Sequence, residues 1–208
     1  MKLLSVLLCY AGFLRFSDVI LVQWHEIRFL PTHMELFLEK SKTDHYRVGR
    51  WVLIARVGGP FCPVTFTEYV LFLGQYDRLD PSGLIRCVTI SRARQYIRSE
   101  QPCYSIVLSW FKDAARVLGP NPDEYGTHSG RRGGATRAAN VDVPDRLFKE
   151  HGFWKSDRAM DSYVFCAAAA LRPFEVTTKR LAAAASIRPR RVARGYLFPI
   201  TTYGEAPA

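Results

Sequence analysis

The sequence predicts a mainly α-helical (α+β) fold: a helical bundle with a small antiparallel β-sheet near its front. Apolar residues recur at helical spacing in several segments, most clearly over residues 105–118. Alternation typical of β-strands occurs at residues 33–40 and again around 51–55. With 208 residues, the chain is long enough to bury a core without a disulfide or a metal ion.

The N-terminal part of the sequence predicts two helices and a β-hairpin. Residues 2–13 form an apolar helix that ends at a turn near Gly12, and residues 17–22 form a short second helix with Ser17 as its N-cap. The apolar start resembles a signal peptide, but the helical pattern continues beyond Arg15, so we interpret it as a buried helix. A polar turn at 41–47 joins the two strands.

The rest of the chain is predicted to be helical, apart from residues 80–103, whose pattern is mixed. A helix at 64–74 follows an N-cap near Thr65, and the Gly-Pro-Asn-Pro run at 119–122 ends the amphipathic helix. Three further helices are predicted at residues 129–139, 144–150 and 157–170.

Basic residues outnumber acidic ones, which gives a net charge of +10 and a pI near 9.6. The excess is concentrated in residues 171–195, where seven basic residues face one glutamate for a net charge of +6. This balance favours a polyanionic partner such as nucleic acid, because Lys and Arg release counterions when they neutralise phosphates. The longest apolar runs are too short to span a membrane.

The five cysteines and five histidines predict neither a disulfide framework nor a metal site. The cysteines are odd in number and widely scattered, which is typical of a reducing compartment. No cysteine pair has zinc-ligand spacing, and the histidines form neither HxxxH nor HExxH. We therefore expect no metal and no other cofactor.

Two segments place arginines where they could bind an anion. Arg15 follows the first helix, and Asp18 lies three residues later on the same predicted helical face. In residues 127–134, His128 and Arg131 lie one helical turn apart, so both side chains can point to a common spot. Taken singly, the first pair also fits a surface ion pair, and His128 also fits a helix cap.

Two further segments contribute two candidate lysines and two aromatic residues. Lys40 and Lys42 lie in the turn of the predicted hairpin, where lysines are usually just solvated. Trp154 precedes a helix, capped by Ser156, that carries Tyr163 nine residues later. Taken singly, both aromatic residues also fit an ordinary core position.

In this order and spacing, the segments resemble the tyrosine recombinase and phage-type integrase family. The resemblance covers about residues 1–170, and His128 to Arg131 is similar to the family's second motif. Trp154, where most members have histidine, resembles the Cre-like branch. The runs KSKTD at 40–44, CPV at 62–64, YGTHSGRRGGAT at 125–136 and HGFWKSDRAMDSY at 151–163 resemble eukaryotic recombinases of mobile elements.

The resemblance implies metal-free DNA strand exchange through a 3′-phosphotyrosine bond. Tyr163 would be the nucleophile, and Arg15 and Arg131 would stabilise the charge on the phosphate. His128 would hydrogen-bond the phosphate or accept the tyrosine proton, and Trp154 would donate its indole N–H. Lys42, or alternatively Lys40, would protonate the leaving 5′-oxygen. Asp18 would hold Arg15 in the right orientation without contacting the phosphate itself. His151 would have no catalytic role.

The resemblance also implies an organisation and a set of partners. Residues 1–170 would form the catalytic domain and 171–208 a basic C-terminal helix and tail; the N-terminal core-binding domain of the family is apparently absent. We expect double-stranded DNA as the partner, a homotetramer on that DNA, and no membrane or small-molecule cofactor. The expected location is intracellular, and the nucleus in a eukaryote. The alternatives are a catalytically inactive or domesticated DNA-binding protein, a type IB topoisomerase and an RNA-binding protein.

Overall fold

The computed structural model describes residues 1–39, 48–77, 79, 82–91, 94–141 and 143–163, and it confirms a mainly helical fold with small antiparallel sheets. Lys40, Lys42, the predicted helix beyond Tyr163 and the basic tail at 171–208 lie outside these residues. The described helices are α1 (Lys2–Ala11), α2 (Phe16–Val19), α3 (Pro63–Leu73), α4 (Tyr104–Leu118), α5 (Ser129–Ala139), α6 (Asp145–Gly152) and α7 (Asp157–Asp161), with 3-10 turns at Trp24–Glu26 and Pro122–Glu124.

The described strands form two antiparallel sheets. In the larger sheet the central strand β2 (His33–Leu38) pairs with β1 (Ile27–Phe29) and with β3 (Arg50–Ala55). β2 and β3 form the hairpin that the alternation predicts, with Leu38 opposite Arg50 at the end nearer the turn. The second sheet is the hairpin of β4 (Val88–Ser91) and β5 (Arg94–Ile97).

Helix α1 lies at the centre of the domain. It packs against α5, α3, α2 and α4, and its residues Leu4 and Leu8 are fully buried, as expected for an internal helix. A large apolar cluster joins α1 to the sheet and to α3 and α4. A smaller cluster fills the space between α5, α6 and α7 and consists of Phe13, Ala135, Phe148, Trp154 and Met160, with Tyr163 packed against it.

Two predicted helix starts and one unassigned region differ from the structure. Cys62, and not Thr65, is the N-cap residue of α3, because Pro63 occupies the first helical position that proline favours. The N-cap residue of α2 is Arg15, and Ser17 lies inside the helix. Residues 80–103, whose pattern predicts no element, contain the β4–β5 hairpin. Within the described residues, no helix has the length and apolar character needed to cross a membrane.

Candidate functional site

The site depends on an unusually close approach of helix α5 to helix α1. A Cβ atom on Gly134 would overlap the main-chain oxygen of Tyr10 and lie 3.0 Å from Cδ1 of Phe13. On Gly130 it would lie 2.7 Å from Cβ of Cys9. Since real Cβ atoms do not approach so closely, only glycine allows this packing. It holds the intervening turn of α5, which carries Arg131, against the end of α1.

Arg131 is almost completely buried, with 1% of its surface exposed. Its Nη1 donates to the main-chain oxygen of Phe13, and its Nη2 donates to that of Gly152 over 2.7 Å. One guanidinium thus links α5 to the turn after α1 and to the end of α6. Arginine suits this position, because its planar guanidinium donates to two acceptors at once and has further N–H donors besides.

Two aromatic rings contact the buried guanidinium. Cζ of Arg131 lies 4.7 Å from the centroid of the Trp154 ring and 4.8 Å from that of Tyr163. The centroids of the two rings are 5.6 Å apart. These distances fall within the range of cation–π interactions, so the structure brings three of the predicted residues into direct contact. Residues Arg131, Trp154 and Tyr163 are called the Arg–Trp–Tyr cluster below.

Burial and neighbouring charges shift the pKa of Arg131. Removal of the guanidinium from water lowers its pKa to about 10, and repulsion from Arg15 and Arg50 acts in the same direction, while Asp18 and Tyr163 oppose it. Burial likewise raises the pKa of Asp18 above its usual value, against the attraction of Arg15. The charges of the predicted site residues therefore act on one another across a small buried region.

Arg15 and Asp18 form a partly buried ion pair beside the cluster. Nη1 of Arg15 lies 3.9 Å from Oδ2 of Asp18, and the exposed fractions of the two side chains are 17% and 4%. The backbone N–H of Arg15 also donates to this oxygen over 3.4 Å. Such a contact fixes the carboxylate, and with it the arginine, at the start of α2. The orienting role of Asp18 stays a prediction.

His128 is exposed and is the N-cap residue of α5. It lines a cavity of about 300 Å³ together with Arg15, and the side chains of Pro102 and Tyr104 form part of the same wall. Trp154 lines a different, larger cavity. The predicted residues therefore do not line one common cavity: Arg15 and His128 line the smaller of these two and Trp154 the larger, and Arg131 and Tyr163 line neither.

Two buried donors in the Arg–Trp–Tyr cluster have no acceptor among the described residues. They are Nε of Arg131 and the indole Nε1 of Trp154. A buried donor without a partner costs about 1–3 kcal/mol, and such atoms are rare in native proteins, where strain, a catalytic role, or a water or ion that supplies the acceptor accounts for them. The chemistry of both groups fits an anionic oxygen, since neither can accept a hydrogen bond.

Tyr163 follows the short helix α7 and is half-buried. Ser156 caps this helix by accepting from the N–H of Ala159 over 3.3 Å, as the sequence predicts. The N–H of Tyr163 donates to the main-chain oxygen of Met160 over 2.9 Å, and its own carbonyl accepts from Oγ1 of Thr136 over 3.3 Å. The backbone of Tyr163 is therefore held on both sides, and its ring lies against Arg131.

His151, for which the sequence predicts no catalytic role, makes structural contacts with the first helix and the turn that follows it. Its Nε2 donates to the main-chain oxygen of Ala11 over 2.8 Å, and its ring meets Phe13 edge-on, with the ring centroids 4.6 Å apart.

Arg50 also belongs to the site region, although no sequence pattern indicates it. Its Cζ lies 3.6 Å from the ring centroid of Phe153, and its charge acts on both Asp18 and Arg131.

The described residues contain no group of three or more His, Cys, Asp or Glu side chains able to hold a metal ion. The lysine expected to act as the general acid, Lys42 or Lys40, lies outside the described residues. Among the described residues, the predicted part of the site therefore consists of two arginines, an aspartate, a histidine, a tryptophan and a tyrosine, and Arg50 lies beside them.

Comparison with known proteins finds similarity in structure and none in sequence. No family model matches the chain, and no curated protein is similar to it. The structure is similar to that of XerH site-specific recombinase bound to palindromic difH substrate in a post-cleavage complex, with a TM-score of 0.57 and 14% identity, over 89% of this chain and 44% of that one. The pre-cleavage complex of XerH with difH gives a TM-score of 0.53, 15% identity and the same coverage.

A weaker likeness, with a TM-score of 0.46 and 11% identity over 86% of this chain and 56% of the other, is to the Tn1549 transposon integrase in complex with circular intermediate DNA. The XerH comparisons show that the chain has the fold of a tyrosine recombinase catalytic domain. The chain spans 44% of the length of the XerH recombinase that it matches.

Proposed function

We propose that this chain is the catalytic part of a tyrosine recombinase, which cleaves and rejoins DNA through a covalent bond to Tyr163. The observation that carries this proposal is the Arg–Trp–Tyr cluster, in which a buried guanidinium lies 4.8 Å from the ring of Tyr163. A permanent positive charge beside a phenol is what a phosphate needs when tyrosine attacks it. The shared fold with DNA-bound XerH supports the same class.

In this proposal the scissile phosphate lies between the two arginines. Arg15 lines the same cavity as His128 and would donate to the phosphate from there. Arg131 would donate through its Nε–H, which has no acceptor among the described residues. The indole N–H of Trp154 is the second such donor. Phosphate oxygens would accept from all three, and the charge that builds up on the phosphate would be stabilised without a metal ion.

The chemical step is a transfer of the phosphoryl group from sugar to tyrosine. Oη of Tyr163 forms a bond to phosphorus as the bond to the 5′-oxygen breaks, and the tyrosine proton passes to a base, for which we propose His128. The 5′-oxygen leaves with a proton from Lys42 or Lys40. The reverse attack by a 5′-hydroxyl restores the DNA, so the enzyme needs no cofactor. By the same family resemblance, we propose that the active form is a homotetramer on double-stranded DNA.

A nicked suicide duplex tests this function. If cleavage releases a short 5′-hydroxyl strand that diffuses away, the phosphotyrosine bond cannot be reversed and protein–DNA adducts accumulate. We expect adducts from the native protein and none from Tyr163→Phe, which removes only the attacking oxygen. As a matched control, Tyr125→Phe removes a hydroxyl from a half-buried tyrosine that is in neither cavity. Duplex binding without adducts from the native protein would favour an inactive DNA-binding protein.

A further inference from the structure

Helix α6 ends in a turn whose left-handed residue is phenylalanine and not glycine. The N–H of Trp154 donates to the main-chain oxygen of Lys149 over 3.1 Å, and that of Phe153 donates to the main-chain oxygen of Glu150 over 3.2 Å. These two hydrogen bonds define a Schellman motif, in which glycine usually occupies the position of Phe153. The φ of Phe153 is 54°. A bulky residue with this backbone conformation is strained and persists only where its surroundings hold it.

Arg50 supplies one of the contacts that hold Phe153. Its Cζ lies 3.6 Å from the centroid of the Phe153 ring, closer than Cζ of Arg28 lies to the ring centroid of Trp51 in the same sheet, which is 4.1 Å. The Phe153 ring also packs against the large apolar cluster. Glycine would fit the turn without strain, but it would remove the ring on which the guanidinium stacks. The stacked ring therefore accounts for a strained residue in this turn.

The same turn fixes the position of Trp154. A Cβ atom on Gly152 would overlap the indole ring of Trp154, so the ring lies against the end of α6 where only glycine leaves room for it. The centroid of this ring is 4.7 Å from Cζ of Arg131, and the carbonyl of Gly152 accepts from Nη2 of the same guanidinium. The turn from Gly152 to Trp154 therefore supplies two of the contacts that Arg131 makes.

Arg50 reaches this turn from the β-sheet. It is the first residue of β3, where it pairs with Leu38, and its side chain is half-buried. Its charge also acts on the buried arginine of the site: burial lowers the pKa of Arg131 most, and repulsion from Arg15 and Arg50 adds to this effect. The contact between β3 and the turn after α6 therefore lies beside the residues proposed to bind the phosphate.

We infer that Arg50 is a positioning residue for the reaction at Tyr163, an inference that rests on the proposed function. By stacking on Phe153, Arg50 keeps the turn after α6 in the conformation that holds Trp154 against Arg131. The role requires no contact between Arg50 and DNA, which distinguishes it from that of a residue that binds phosphate. Without the stack, the turn relaxes from its strained conformation, and the indole N–H of Trp154 loses its fixed direction.

Single-turnover trapping on the nicked duplex tests this role through coupled variants. We expect R50M to lower the limiting rate of adduct formation about 5- to 30-fold, the range for loss of a partly buried cation–π contact. The protein concentration that gives half of the limiting rate should stay the same. In an F153L background the ring is already absent, so R50M should change the rate by less than about twofold. R50K keeps a cation over the ring and should restore most of the rate.

Fluorine NMR tests the position of Trp154 without any reaction. Protein labelled with 5-fluorotryptophan contains four labelled residues, and W154F identifies the resonance of Trp154. R50M should shift this resonance. The matched control is R28M, which removes the arginine over Trp51 in the same sheet and should shift only the resonance of Trp51 and keep the native rate of trapping. Circular dichroism checks that each variant is folded.

The outcomes separate the inference from the proposed function. A native limiting rate in R50M would overturn the inference, and so would an R50M effect that is equally large in the F153L background, since Arg50 would then not act through Phe153. Weaker duplex binding with an unchanged limiting rate would overturn it as well. If the native protein forms no adducts, the proposed function fails, and the Trp154 resonance decides whether Arg50 positions Trp154: a shift in R50M supports this, and no shift contradicts it.

Discussion

Nη2 of Arg131 donates a hydrogen bond to the main-chain oxygen of Gly152 over 2.7 Å and so ties helix α5 to the end of helix α6. The same guanidinium reaches Phe13 on the other side. Arg131 is therefore both a structural link between three segments and a charged group that contacts the ring of Tyr163. Changes at this position should affect folding and chemistry together, which distinguishes it from the other predicted site residues.

Replacement of Arg131 by lysine should destabilise the protein and abolish adduct formation. A single ammonium cannot reach both main-chain acceptors, and each buried acceptor left without a donor costs about 1–3 kcal/mol. Arg132→Lys is the matched control, because Arg132 is exposed and adjacent in sequence. Urea denaturation of the native protein, Arg131→Lys and Arg132→Lys measures the difference in the free energy of unfolding. An Arg131→Lys midpoint equal to the native one would show that the two hydrogen bonds do not contribute to stability.

Gly134→Ala and Gly133→Ala should have opposite effects on stability. A methyl group on Gly134 would overlap the backbone of α1, and overpacking of this kind costs about 1–3 kcal/mol. On Gly133 a Cβ would lie 3.4 Å from the ring of Tyr10, and alanine favours helix by about 1 kcal/mol. We expect Tm to fall by about 2–4 °C per kcal/mol in the first variant and to rise in the second. A Tm for Gly134→Ala at or above the native value would contradict the close packing of α5 on α1.

Trp154→Phe should slow adduct formation more than it affects stability. The change removes the buried indole N–H that has no acceptor among the described residues and keeps an aromatic ring against Arg131. A hydrogen bond to a charged group contributes about 1.5–3 kcal/mol, which corresponds to a rate about 10- to 160-fold lower. Single-turnover kinetics of trapping on the nicked duplex measure the rate of adduct formation. If Trp154 has only a packing role, the rate will stay within about twofold while Tm falls.

Adduct formation should survive chelation by EDTA. In the proposed mechanism, the charge on the phosphate is stabilised by Arg15 and Arg131, whose charges are permanent at neutral pH. The measurement compares trapping on a nicked duplex in EDTA with trapping in magnesium at matched ionic strength, because salt alone weakens DNA binding. Complete loss of adducts in EDTA, restored by magnesium, would overturn the mechanism.

Helical periodicity predicts most of this fold, and the elements it misses have physical explanations. The bounds predicted for α5, residues 129–139, match the observed helix. The β4–β5 hairpin is missed because β4 has four residues, too few for the alternation of Val88 and Ile90 with polar residues to stand out, and because each of them is exposed. Pro63 was the available signal for the start of α3, since proline favours the first helical position.

The candidate site is less predictable from sequence than the fold. The motif order indicates Arg131, Trp154 and Tyr163, and the structure brings these three together. Which main-chain carbonyls Arg131 bonds depends on tertiary packing that no sequence spacing specifies. Arg50 is missed for the same reason, since an arginine at the start of a strand carries no signal until its neighbour Phe153 is known.

Peptide mapping of the trapped adduct tests the central claim most directly. Trypsin does not cleave between Arg172 and Pro173, so residues 159–179 form one peptide in which Tyr163 is the only tyrosine. After nuclease digestion of the adduct, mass spectrometry should find this peptide carrying a nucleotide linked through a 3′-phosphate to Tyr163. A nucleotide on any other peptide, or a native protein that binds the nicked duplex and forms no adduct, would contradict Tyr163 as the nucleophile.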